Sequence, residues 1–143
     1  TTCAVILPHV VKRGFVGDIL DDLASQGFDL GALGMFSVGQ EDARRFLEVY
    51  QGVLTDFRHV VDELCSGPCV ALELGSEDAV KALREAVGPW DVEIAKEIRP
   101  HTLRAKYGVD SVRKAIHCTD LPEDSASECR FFFETMWRSG RLS

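Results

Sequence analysis

The segment TTCAVIL, residues 1–7, decides the fold, because a short, apolar, β-branched run stopped by Pro8 reads as a strand buried inside a sheet. The next segment has the helical period: Val16, Ile19, Leu20 and Leu23 fall on one side and Asp18, Asp21 and Asp22 on the other, up to Gly27. In FDLGALGMFSV the alternation of Phe28, Leu30 and Ala32 predicts a second strand, with glycines able to form a bulge. Residues 40–65 carry a second helical pattern, interrupted near Gly52. GPCVALELG then alternates Val70, Leu72 and Leu74 against Cys69, Ala71 and Glu73 as a third strand. Ser76 is the predicted N-cap of a helix carrying Val80, Leu83 and Val87. Gly88–Tyr107 reads as a long irregular insertion with two prolines and short helical pieces, Ala115–His117 as a short fourth strand, and Ser125 as the start of a last helix. Strands alternating with helices in this order predict an α+β fold, a four-stranded antiparallel sheet with helices on one face in the split βαβ, ferredoxin-like arrangement. A small doubly wound sheet has the same periodicity.

At 143 residues the chain is sized for one domain, 1–143. Since it begins at Thr1 and not Met, it is compatible with a piece of a longer protein. Its apolar runs are too short to span a bilayer, and no signal-peptide pattern opens it. Sixteen basic against 23 acidic residues give a net charge of −7, a field that repels nucleic acid and anionic membranes, so any phosphate ligand needs a local group of arginines. The five cysteines are odd in number and irregularly spaced, which predicts reduced, buried thiols and a cytoplasmic location. Cys65 and Cys69 have no partner pair that would complete a zinc site. Glycine-rich phosphate loops, GxSxG and HExxH are all missing.

Among the four histidines, only His117 follows a predicted core strand and precedes a polar turn, the setting that presents a side chain to a cleft. His9, His59 and His101 lack it. A nucleophilic imidazole must be neutral and held in one tautomer by an acceptor on its other nitrogen. Glu128 is a candidate acceptor, but Ser125 and Glu128 also have the spacing of a capping box, and on spacing alone the cap is favoured. Arg84 and Arg104 are candidate phosphate ligands, each of which alone would read as a solvated charge. Cys118, next to His117 on a strand, is expected to face the opposite way.

LPHVVKRGFVGDIL, SGPCVALEL, TLRAKYG and AIHCTD occur here in the order and approximate spacing of the nucleoside diphosphate kinases, and the resemblance runs from Thr2 to about Phe133. HCTDLPED and the VYxGV near Tyr50 most resemble the second kinase-like domain of the family's tandem-domain homologues, associated with cilia and microtubule-organising centres. The resemblance implies a ferredoxin-like domain in which a histidine takes the γ-phosphate of a nucleoside triphosphate and hands it to a diphosphate by a ping-pong route. By position, His117 matches that histidine, Glu128 its orienting carboxylate, Thr119 a nearby hydroxyl, and Arg84 and Arg104 the phosphate-binding arginines. Mg²⁺ is expected to arrive on the nucleotide, without a protein metal site.

The departures from the family pattern are specific. Leu7 stands at the position of a phosphate-contacting lysine, and Lys114 at that of an asparagine contacting sugar and phosphate. A gating tyrosine falls at Leu47 or Glu48, and a phosphate-binding threonine near Trp90. These exchanges leave an alternative: a non-catalytic nucleotide-binding or structural module of a ciliary or microtubule-associated assembly. Nucleoside di- and triphosphates, a homo-oligomer or tandem partner domain, and ciliary or microtubule proteins are the implied partners, with no nucleic acid or membrane. The implied location is the cytoplasm, extending to the cilium, axoneme or centrosome.

Overall fold

The computed structural model describes residues 1–143. Strand β1 (Thr2–Ile6) is followed by α1 (Pro8–Arg13), α2 (Val16–Ser25) and β2 (Asp29–Phe36). Next come α3 (Gln40–Phe46), a 3₁₀ turn (Glu48–Tyr50), α4 (Phe57–Cys65) and β3 (Cys69–Gly75). Helices α5 (Ala79–Val87), α6 (Val92–Ile98) and α7 (Leu103–Tyr107) lead to β4 (Ile116–Cys118) and α8 (Ser125–Arg130), which runs on into a π-helical turn (Phe131–Met136). The sheet order is β2-β3-β1-β4 with every pairing antiparallel, which is the split βαβ arrangement and removes the doubly wound alternative.

Every residue of β1 is buried, because the sheet is covered on both faces. Ala4, Ile6, Leu72 and Ile116 pack against Ile19, Leu23 and Leu83 from α2 and α5. On the other face Val5, Leu7 and Ala71 pack against Ala43, Val61, Leu64 and Phe132. The expectation of helices on one face is therefore corrected: the α3–α4 hairpin and the C-terminal helix close the second. As expected, Gly31 marks a bulge in β2, where the register shifts between Leu30 and Ala32.

One local expectation fails. Ser76 caps nothing; α5 starts after Asp78, whose φ is +50° and whose side chain makes no cap bond. The short helical pieces expected between Gly88 and Tyr107 are α6 and α7, and Asp91 starts the first of them by accepting from the Ile94 amide at 3.1 Å. With seven and five residues they are too short for a clear apolar period, which is why their limits blur in the sequence.

Gly88 sets the turn from α5 into this region at φ +96°, and a Cβ there would lie 2.6 Å from Thr102 Cβ. Its carbonyl accepts from Arg104. Left-handed strain and overpacking each cost on the order of 1–3 kcal/mol, so Gly88→Ala is expected to lower the unfolding free energy by about 3 kcal/mol in a denaturant titration.

Candidate active site

Strand β4 is only three residues long and is placed by β1, with Val5 paired to His117 and Ile6 to Ile116. Its entry is fixed by two bonds to Ala115, a residue held at φ +71°: the Leu7 amide donates to the Ala115 carbonyl at 2.9 Å, and the Ala115 amide donates to His9 Nε2 at 2.9 Å. His9, which the sequence shows without a site setting, thus shapes the approach to His117. Burial, with Arg13 and Arg113 nearby, pushes its pKa down to about 4 and keeps it neutral, as an acceptor must be. Because the unfolded chain takes up this proton near pH 6.5 and the folded one only near 4, stability is lost as pH falls through that window. The slope approaches about 1.4 kcal/mol per pH unit. Replacing His9 with Gln, an acceptor that does not titrate, is expected to flatten the profile by that amount between about pH 6 and 4.5 in denaturation curves.

His117 is 7% exposed. Its Nε2 lies 3.0 Å from Glu128 Oε1, and Thr119 Oγ1 donates to the same oxygen at 3.1 Å. Thr119 Oγ1 is itself held by the Cys3 amide at 3.3 Å. A carboxylate accepts, so Nε2 carries the proton and Nδ1 keeps its lone pair. Ser125 Oγ has no hydrogen-bond partner, and no side chain caps α8. The capping box favoured on spacing alone is therefore not formed; the Glu128 carboxylate is turned to the imidazole. Cys118 packs in the opposite core, as alternation requires.

Three cations lie near. Arg104, 4% exposed, donates to the carbonyls of Gly88 at 3.2 Å and Ile116 at 2.9 Å, and its Nε has no partner. Arg84 donates to the Asp120 carbonyl at 3.3 Å. Lys114 Nζ donates to the Trp90 carbonyl at 2.8 Å, and burial with the neighbouring Arg104 charge lowers its pKa to about 8. Leu7 is buried among apolar side chains and supplies no charge.

These groups divide between two cavities. One, of about 620 Å³, is lined by Lys81, Arg84, Arg99, Arg104 and Asp120. The other, of about 20 Å³, is lined by Leu7, Leu47, Lys114 and His117. Only Trp90 and Arg104 line both. The expected open presentation of the imidazole to both guanidinium groups is thus not met: Arg84 and His117 share no cavity, and the ring is edged by Phe46 at 5.1 Å and Tyr50 at 6.2 Å. Neither Leu47 nor Glu48 brings a hydroxyl here. Tyr50 does, donating to the Asp120 carboxylate while its ring stacks on Trp90 at 5.4 Å. Burial, then that bond, raises the phenol pKa. In the sequence Tyr50 belongs to an apolar helical stripe, and only the break near Gly52 signals that it leaves the core.

The family model for nucleoside diphosphate kinase matches residues 1–136. This chain belongs to the nucleoside diphosphate kinase family. The Aquifex aeolicus nucleoside diphosphate kinase is 38% identical over 132 residues, covering 92% of both chains. Its crystal structure superposes with a TM-score of 0.88, covering 99% of this chain and 97% of that one. A halophilic nucleoside diphosphate kinase from Halobacterium salinarum in complex with CDP, 25% identical, has a TM-score of 0.83 and is covered to 90%, against 99% of this chain. Nucleoside diphosphate kinase homolog 7 of Mus musculus is 44% identical over 135 residues, which bears out the resemblance to tandem-domain homologues. That match covers 94% of this chain and 34% of the relative, so the chain spans about a third of the length of the homolog 7 proteins it matches. No helix of this kinase-family domain is long and apolar enough to cross a membrane.

Proposed function

We propose that this domain passes the terminal phosphoryl group of a nucleoside triphosphate to a nucleoside diphosphate through Nδ1 of His117. The observation that carries the reading is the chain from Thr119 to Glu128 to Nε2, which fixes the proton on one nitrogen and leaves the other nucleophilic. The Nδ1 lone pair forms a bond to the γ-phosphorus as the bond to the bridging oxygen breaks, and the diphosphate departs with that electron pair. An acceptor diphosphate reverses the step. Arg84 and Arg104, with Lys114, are assigned to the charge spread over the phosphoryl oxygens.

Mg²⁺ is assigned to the nucleotide substrate, and the larger cavity offers the carboxylates of Asp78, Glu85 and Asp120 along its wall. Leu7 removes the cation that the family pattern has at that position, and a missing preorganised charge contact costs about 10²–10³ in rate. Turnover slower by that factor is part of the proposal.

The covered imidazole favours a second reading, a nucleotide-binding or structural module that serves a ciliary or microtubule-associated assembly without phosphotransfer. Initial rates with ATP and a second nucleoside diphosphate varied together separate the two. The first predicts parallel double-reciprocal lines. The second predicts no transfer, with nucleotide visible only as thermal stabilisation, about 2.7 kcal/mol at about a hundred times Kd.

A further inference from the structure

We propose that Trp90 is a gate over His117, displaced by the polyphosphate of an incoming nucleotide that competes for the two cations now held against its indole. The proposal rests on the phosphotransfer reading above and adds how the site opens.

Trp90 is one of only two side chains shared by the arginine-lined cavity and the small cavity that holds the imidazole; the other is Arg104. Trp90 and Arg104 thus stand where the two cavities adjoin, and a phosphoryl group passing from the side of Arg84 to the side of His117 meets the indole. Lys114 Nζ lies 4.3 Å from the ring centroid and Arg104 Cζ 5.1 Å from it. Tyr50 stacks on the indole with planes 26° apart, and its hydroxyl is tied to Asp120 on the wall of the larger cavity. The gate is therefore built from the groups that a phosphate would engage.

Cation–π contacts are weaker than charge-assisted hydrogen bonds from guanidinium or ammonium to phosphate oxygens. Arg104 also keeps an unpartnered, buried Nε–H. Arg104 Nη1 and Nη2 and Lys114 Nζ donate to the Gly88, Ile116 and Trp90 carbonyls. What a polyphosphate gains over the indole therefore lies in the remaining donors, the Arg104 Nε–H and the other ammonium hydrogens, and this supplies the differential affinity that a ligand-driven opening needs. Until it binds, the competent state is a minor one, and apparent affinity and His117 reactivity are both reduced by its fraction. A smaller side chain at position 90 removes that reduction.

Phosphoramidate tests the gate without a nucleotide, since an imidazole nitrogen displaces ammonia at phosphorus and the product can be mapped to His117 by mass spectrometry. Trp90→Ala is expected to label at His117 about tenfold faster than wild type or more. Equal rates in the two folded proteins would overturn the gate. Should Trp90→Ala fail to fold, Trp137→Phe leaves Trp90 as the single tryptophan of the two. Acrylamide quenching of its emission is expected to rise on adding tripolyphosphate or Mg·ADP, and quenching unchanged at saturation would overturn the proposal. Fast phosphoramidate labelling of Trp90→Ala with no label from ATP would sink the phosphotransfer reading and leave the gate standing. ATP turnover with equal phosphoramidate rates would do the reverse.

Discussion

His117→Gln is expected to abolish the acid-labile phosphoryl label that γ-labelled ATP leaves on the wild-type protein, and to lower nucleotide exchange by at least about 10⁴-fold, the scale of losing a covalent nucleophile. Glutamine keeps an amide donor within reach of Glu128 and an uncharged body beside Phe46, so the fold should survive. The variant's thermal midpoint, unchanged within a few degrees, is the control that assigns the loss to chemistry. His59 and His101 are exposed and sit outside both cavities that flank Trp90, so their removal should leave the label in place. Label that persists in His117→Gln at the wild-type level would remove this residue from the mechanism.

The second large effect is expected at Glu128, where Gln in place of Glu changes one atom and reverses the logic of the bond. The carboxylate can only accept, so it holds the proton on Nε2. A side-chain amide can turn its NH₂ to the ring, donate to the Nε2 lone pair and favour the tautomer with the proton on Nδ1, where the attacking lone pair is needed. Thr119 Oγ1 does not prevent the turn, because a hydroxyl donates or accepts equally well. Losses from misorienting a catalytic imidazole through its carboxylate reach about 10²–10⁴-fold in kcat. Glu128→Gln should fall in that range with little change in unfolding free energy. Activity within about threefold of wild type would show that the carboxylate does no more than pack.

How far the fold is legible in the sequence depends on how strongly each segment repeats. Strand β1 is apolar, β-branched and stopped by Pro8, β3 alternates after Pro68, and α2 carries a full stripe from Val16 to Leu23 against acids; nothing local competes with those readings. The features that stay blurred or misread are held by single polar contacts or by tertiary packing. Helix α6 depends on Asp91, and Ser76 is a good cap residue that the chain passes over because its hydroxyl turns to the Glu77 carbonyl. The second face of the sheet is hidden because β1 reads as one apolar run whichever way its residues point.

The candidate site is legible as residues and not as a geometry. His117, Glu128 and Thr119 meet within hydrogen-bonding distance. Arg84 and Arg104 line one cavity together. The partition between that cavity and the imidazole has no sequence signal, because Trp90 and Tyr50 come from segments about 40 residues apart and nothing in either segment says that their rings stack. His9 escapes notice for a similar reason: its role is to accept one backbone amide from a residue 106 positions away.

The most direct measurement of the central claim is a crystal structure of the full chain grown with a Mg²⁺-bound nucleoside triphosphate analogue. The account predicts the terminal phosphate between Arg84, Arg104 and Nδ1 of His117, with Nε2 still on Glu128 and the Trp90 indole withdrawn from Lys114. A nucleotide seated elsewhere, or phosphates in the large cavity with His117 still sealed behind Trp90 and Tyr50, would contradict it.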